Sequence, residues 1–391
     1  MKRSEIATKI ASIGLAAALL LTACGGKDTG AAGGASSNTG AATAEAKTFS
    51  AEADALAAEL INRYPTADDN ITEEVIEATI EKLKKTYTFE SLADLKLASG
   101  DWVYISDNKG WFKQLFGDNG TTVSVVEGTV GNEVQLMERD ELHLTNRMLY
   151  PYLLYKAQGG DITGLALSAD PDASIVSILV NSNSDIQSFE DLKGKNIGSW
   201  KAGCQYVALL ENALDLGWTE GVDYTYSNIS NNDLKTALQA GEIDAISTHP
   251  FTNVNSEIIN GNFREIATAK PDGVYTNYGG ATVTFAPTGF ANEHVNILKA
   301  ALKLREVVNA YILLNKESVC ELLETITRDP AENSLFYLDR RKETYFNASD
   351  SLDKLIDDTD NYQNWLIENV EEFSEDGRVP RDAFFNSNFF S

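Results

Sequence analysis

Apolar positions along the chain change period. From Phe49 to Lys85 they recur at helical spacing, first Ala53, Leu56, Leu60 and Ile61, then Ile71, Val75, Ile80 and Leu83 after the cap signal Asp68-Asp69-Asn70. That spacing places each set on one face and predicts two helices. From Ser91 the pattern becomes strand, helix, strand, helix. Strands are predicted at Asp101–Ser106, Thr121–Val126, Glu141–Thr145, Ile162–Ser168 and Ser174–Val180. Helices are predicted at Trp111–Phe116, Val130–Arg139 and Tyr150–Gln158. Alternation of this kind predicts an α/β sheet.

A second series starts at Ser188–Leu210. Its strands are predicted at Asn196–Ser199, Tyr224–Ile229, Glu242–Thr248 and Phe263–Ala269, and its helices at Gln205–Leu216, Asp233–Ala240 (closed by Gly241) and Val254–Asn260. Ala281–Pro287 is one more strand, followed by a long helix at His294–Leu314 with Ile297, Ala301, Leu304, Val308 and Tyr311 on one face. Helices at Glu317–Thr327 and Asp360–Phe373 and a Phe-rich tail at Phe384–Phe390 complete the chain. Within Ser188–Leu210 a strand ends in a polar, glycine-bearing loop that opens a helix. Unpaired N–H groups and the helix dipole favour negative charge there, so the segment reads as an anion and ligand cradle.

The N-terminus adds an address. Lys2, Arg3 and Lys9 precede a short apolar run, Ala11–Leu21, too short to span a bilayer and fitting a signal peptide over residues 1–23. Small residues ahead of Cys24 resemble the lipobox of bacterial lipoproteins, which implies cleavage before Cys24 and diacylation of its sulfur; an ordinary signal with an incidental cysteine is the alternative. Residues 24–48 are rich in Gly, Ala, Ser and Thr, a flexible tether. The other cysteines, Cys204 and Cys320, can be paired or be separate thiols. No Cys or His cluster has metal-ligand spacing, so neither metal nor cofactor is expected. A net charge of −26 argues against nucleic acid and anionic lipid as partners and requires an anionic ligand to be held by local features.

At Ser188–Gly198, SFEDLKGKNIG resembles the start of the second lobe in type II periplasmic binding proteins, and more narrowly in the sulfonate/nitrate/taurine-type ABC transporter substrate-binding proteins. Gly110–Gly128, Leu234–Ile246 and Phe251–Thr268 are similar to further units of that group, in the same order. The helices at 49–90 and the segment Arg139–Leu142 depart from its pattern. The resemblance implies a two-lobed α/β fold with a helical N-terminal extension (49–90) and a helical C-terminus. Lobe one is 91–184 plus 281–391 and lobe two is 185–280. Crossovers fall near Val180–Ser188 and Lys270–Ala281, and the ligand sits in the cleft at strand carboxyl ends.

Residues on strand-end loops facing that cleft are the candidate ligand contacts: Asn108, Trp111, Gly128, Thr129, Asn146 and Arg147 from lobe one, and Ser199, Trp200, Gly203, Cys204, Gln205 and His249 from lobe two. Arg147 can grip a carboxylate, sulfonate or phosphate, or pair with a nearby acid. Trp111 and Trp200 can wall the cleft or simply pack. His249 can donate to ligand or hold its loop, Cys204 reads as a small packing residue, and His143 as structural. The resemblance implies a monomeric, lipid-anchored receptor on the extracytoplasmic face. It would capture a small anionic or zwitterionic solute for an ABC permease, with no catalytic residue. Two other readings stand beside it, an enzyme of thiamine-pyrimidine type on the same scaffold and a sensor or adhesion lipoprotein.

Overall fold

In the computed structural model, residues 47–168, 175–249, 254–340 and 351–390 are described. The expected signal peptide, Cys24 and nearly all of the tether lie outside them. Two capped helices come first, α1 (Ala51–Leu60) and α2 (Glu73–Thr86). The side chains of Ser50 and Thr72 each accept the backbone N–H three residues on, at 3.3 Å. Acidic residues open α2 and lysines close it, which suits the helix dipole. Leu60, Val75, Ile80 and Leu83 are fully buried or nearly so and share one core with the long helix α11 (Val295–Leu314). The two helices therefore pack on the body that follows.

The first sheet begins one element earlier than the sequence suggests. Strand β1 (Asp94–Ala98) buries Leu95 and Leu97 in alternation and pairs in parallel with β2 (Thr122–Val126). The segment expected to be a strand at Asp101–Ser106 is instead helix α3 (Asp101–Asn108). Its buried residues are Trp102, Val103, Ile105 and Ser106, a helical rather than an alternating set. Packing on both sides overrides the strand propensity of Trp, Val, Tyr and Ile. The helices α4 (Trp111–Phe116), α5 (Glu133–Glu138) and α6 (Leu149–Ala157) lie where helices were expected, α5 being shorter. The strand expected at Glu141–Thr145 is displaced to β3 (Thr145–Met148). After the turn at Asp140 (φ 56°), His143 and Leu144 both donate to the Lys96 carbonyl. Those residues thus run alongside β1, Leu144 bridging Leu97 in parallel, before the chain enters β3.

Strand β10 (Thr282–Pro287) returns between β3 and β4 (Ile162–Ser168), antiparallel to both, in a three-stranded sheet that the isolated Leu97–Leu144 bridge links to the β1–β2 pair; these five strands together are called the first sheet. The second sheet has five strands in the order β7 (Thr225–Asn228), β6 (Asn196–Ser199), β8 (Ala245–Thr248), β5 (Ser177–Asn181) and β9 (Phe263–Thr268). Helices α7 (Cys204–Asp215), α8 (Leu234–Ala240) and α9 (Asn255–Ile259) serve it. Because β5 pairs with β8 and β9, the first passage between sheets lies between Ser168 and Ser177, not at 180–188. A strand buried along Ser177–Val180 belongs in a sheet interior. The return lies between Thr268 and Thr282, and Glu211 of α7 pins it by accepting the N–H groups of Val274 (2.5 Å) and Tyr275 (3.2 Å). Helices α10 (Thr288–Glu293), α11, α12 (Lys316–Thr327), α13 (Ala331–Arg340) and α14 (Leu352–Asn369) follow; α13 was not foreseen. Buried Phe384 and Phe385 seat the tail against Gly164 of β4. Among the described residues no helix is long and apolar enough to cross a membrane.

His143 is structural, as expected. Its Nδ1 accepts the Lys96 N–H at 3.2 Å, so its Nε2–H donates to Asp140 at 2.9 Å, and its ring stacks on Phe290. Burial lowers the imidazole below its ordinary value, and the hydrogen bond from His143 lowers Asp140. Between the ordinary histidine value near 6.5 and the lower folded value, the unfolded chain binds a proton that the folded one does not. Stability contributed by neutral His143 is therefore present above about pH 6.5 and lost on acidification. Urea unfolding from pH 7 to pH 5 should show a decline that His143→Gln flattens. An equal decline in the variant would remove His143 as the cause.

Candidate functional site

A cavity of about 590 Å³ opens between the two sheets. Its walls come mainly from segments that follow β1, β2, β6, β7 and β8, with residues of β3, α11 and α13 completing them. This is the carboxyl-end position where ligands of open α/β sheets sit.

Arg147 and Glu133 form its charged side. Arg147 Nε lies 3.3 Å from Glu133 Oε1, an ion pair whose alignment falls short of a hydrogen bond. The Glu133 side chain is fully buried, and its second oxygen accepts the Gly131 N–H (2.8 Å) and the Tyr155 hydroxyl (2.7 Å). Burial pushes the Tyr155 phenol well above its ordinary value, which keeps it a donor. The Arg147 guanidinium lies 5.7 Å over the Trp200 ring. Gly131 has φ 86°, a conformation that favours glycine, and the Trp200 ring lies within van der Waals reach of it. Trp200 of the second sheet thus lies on the Gly131–Glu133–Arg147 cluster of the first. Arg305 and Asp101 add a second guanidinium and a second carboxylate to the lining.

The opposite side is polar and soft. Gln205 Nε2 donates to Asn231 Oδ1 at 2.7 Å, and the Gln205 carbonyl accepts the Ser247 hydroxyl. Cys204 starts α7, and its Sγ lies 2.8 Å from His249 Nε2 and 3.0 Å from Met148 Sδ. His249 Nδ1–H donates to the Ile175 carbonyl at 2.9 Å. Cys204, Cys320, Met148 and His249 are all buried, and Cys204 and Cys320 form no disulfide with each other.

Of the expected contacts, Thr129, Asn146, Arg147, Trp200, Gly203, Cys204, Gln205 and His249 line the cavity. Four do not. Asn108 and Trp111 were placed on a loop after a strand that is in fact α3. Asn108 is exposed at the end of that helix, and Trp111 is buried edge-on to Tyr311 at 5.8 Å. Gly128 forms the left-handed turn (φ 65°) before Thr129. Ser199 is buried at the end of β6, one residue short of the cavity. Lys201, next to Trp200, pairs instead with Glu372 at 2.8 Å. Pro250 and Phe251 lie outside the described residues.

Sequence reasoning missed Asp101 and Trp102 because it put them inside a strand, and missed Tyr337 with the whole of α13. Arg305 and Asn309 carried a readable signal, two polar residues four apart in α11, hence on one face. Met148 and Glu133 carried none.

The profile of the NMT1/THI5-like family matches residues 102–307. A Bacillus subtilis (strain 168) protein named as an aliphatic sulfonates-binding protein is 27% identical over 219 residues, 56% of this chain and 63% of that protein. The chain therefore spans less than two thirds of that relative's length. The structure of the alkanesulfonate-binding protein SsuA from Xanthomonas axonopodis pv. citri bound to MOPS superposes with a TM-score of 0.61 at 17% identity, over 72% of this chain and 94% of that one. The Escherichia coli periplasmic aliphatic sulphonate binding protein SsuA gives 0.57 at 19% identity, over 76% and 100%. At such identities the likeness is one of fold, and it is the α/β periplasmic-binding-protein fold expected from the sequence.

Glu133→Gln should lower stability by about 1–3 kcal/mol, since a buried acceptor facing a guanidinium is replaced by an amide that cannot neutralise it. Denaturant unfolding measures this, and an unchanged midpoint would show that Glu133 does not hold Arg147.

Proposed function

The chain belongs to the NMT1/THI5-like family, and on that premise we propose that it is the solute receptor of an ABC importer. It captures a small anionic or zwitterionic solute, of sulfonate type, in the cavity between its sheets and hands it to a permease. One observation carries the reading: a half-buried guanidinium, that of Arg147, is fixed at the cavity wall by the buried Glu133 and covered by Trp200. A planar fork held there suits a three-oxygen anionic head. The names of the similar binding proteins supply the sulfonate class. The lining carries two guanidiniums, Arg147 and Arg305, and two carboxylates, Asp101 and Glu133. Such balance favours a zwitterion, its anionic end toward Arg147 and its cationic end toward the acids.

Capture and delivery need no bond to be made or broken, so no residue is given a catalytic role. The lobes follow the sheets: 48–168 with 282–390, and 177–268. Closure of one on the other would bury the solute and present a shape to the permease. The receptor is a monomer tethered through diacylated Cys24 to the extracytoplasmic face of the membrane, one chain of lipid set being enough only with its second acyl group.

Calorimetric titration with an alkanesulfonate and an aminoalkanesulfonate tests the reading. Either should bind, and Arg147→Ala should weaken binding by roughly tenfold or more, because the buried charge-assisted contact is left unmade. Absence of heat with both, or unchanged affinity in the variant, overturns it. Cys24→Ser should move the protein from the membrane to the soluble fraction of producing cells; retention in the membrane would exclude the thioether anchor.

A further inference from the structure

We propose that Met148, Cys204 and His249 form a binding site for a soft monovalent cation, copper(I), set in the wall of the cavity between the two sheets. The three side chains come from three separate elements: the end of β3, the first residue of α7 and the residue after β8. Their donor atoms converge on one sulfur, with Cys204 Sγ 2.8 Å from His249 Nε2 and 3.0 Å from Met148 Sδ. All three residues also line the cavity, which gives an ion a path from solvent.

The three donors share the Cys204 thiol proton. His249 Nδ1–H donates to the Ile175 carbonyl, so Nε2 of the neutral ring faces the thiol from one side, while Met148 Sδ faces it from another. A monovalent cation can take the place of that proton. Binding expels the thiol proton to solvent and leaves a thiolate, a thioether and an imidazole around the ion, with the copper charge neutralised by the thiolate.

The donor set selects the metal. Thiolate and thioether are soft ligands that favour copper(I), and imidazole is compatible with it. The Ile175 carbonyl supplies the outer contact that fixes the ring tautomer of a metal-binding histidine. A d10 ion sits about 2.3 Å from sulfur and about 2.0 Å from imidazole nitrogen, so the donors must part by less than about 1 Å. Met148, unbranched and with three rotatable bonds, can yield that distance. Met148 belongs to the first sheet and the other two to the second, so the ion ties the sheets together.

The test is anaerobic competition of the full chain against bicinchoninate for copper(I). The wild-type protein should retain one copper(I) per chain, and so should a Cys24→Ser/Cys320→Ser double variant. Met148→Leu, a volume-conserving change, should weaken retention at least about tenfold, and Cys204→Ser should abolish it. X-ray absorption of the loaded protein should show two sulfurs and one nitrogen. Failure of the wild-type chain to hold copper(I), retention by Cys204→Ser, or a copper shell without sulfur overturns the proposal. Circular dichroism shows which variants fold, and Met148→Leu keeps the test open if Cys204→Ser does not. Calorimetry with the sulfonates reads the solute site separately, so either proposal can fail alone.

Discussion

The antiparallel insertion of β10 between β3 and β4 is the constraint on which the rest of the structure depends. Its register sets Thr282 opposite Met148, Val283 opposite Arg147 and Thr284 opposite Asn146. Three consecutive cavity residues are thus fixed by a strand that arrives more than a hundred residues later, after the whole second sheet has been made. Side chains alternate across a strand, so a slip of one residue would turn Arg147 from Trp200 and present its neighbours instead. The cavity exists only when the chain has left the first sheet, built the second and come back.

Electrostatics then works locally inside a chain of net charge −26. Most ion pairs here are exposed and contribute little. The Arg147–Glu133 pair differs because the Glu133 side chain is fully buried and must be compensated wherever solvent is excluded. Tyr155 and the Gly131 N–H share that task, which leaves the guanidinium positioned rather than neutralised outright. An anion can thus be received in a molecule whose overall field repels it.

Much of this was legible in the sequence, and the failures have physical causes. Periodicity located α1, α2, α7 and the long α11, because each buries one regular face. The Asn196–Ser199 strand and its following loop announced the second-sheet half of the cavity, and Trp200, Cys204 and Gln205 are there. The strand expected at Asp101–Ser106 failed because β-branched and aromatic residues pack equally well in a helix buried among others. That single error displaced the expected site to Asn108 and Trp111 and hid Asp101 and Trp102. The contact between Met148 and Cys204 was out of reach, since it joins the two sheets and nothing local encodes it.

Helix α7 reaches from the cavity to the returning chain. Cys204 at its start touches the cavity, and Glu211, two turns later, holds the N–H groups of Val274 and Tyr275. Seven residues of helix make a stiff rod about 10 Å long. A Cβ at position 273 would meet the Glu211 carboxylate and displace it from the N–H groups it holds. One continuous helix therefore spans the distance from the cavity wall to the chain that links the sheets, so the cavity and the linking segment share a single rigid part.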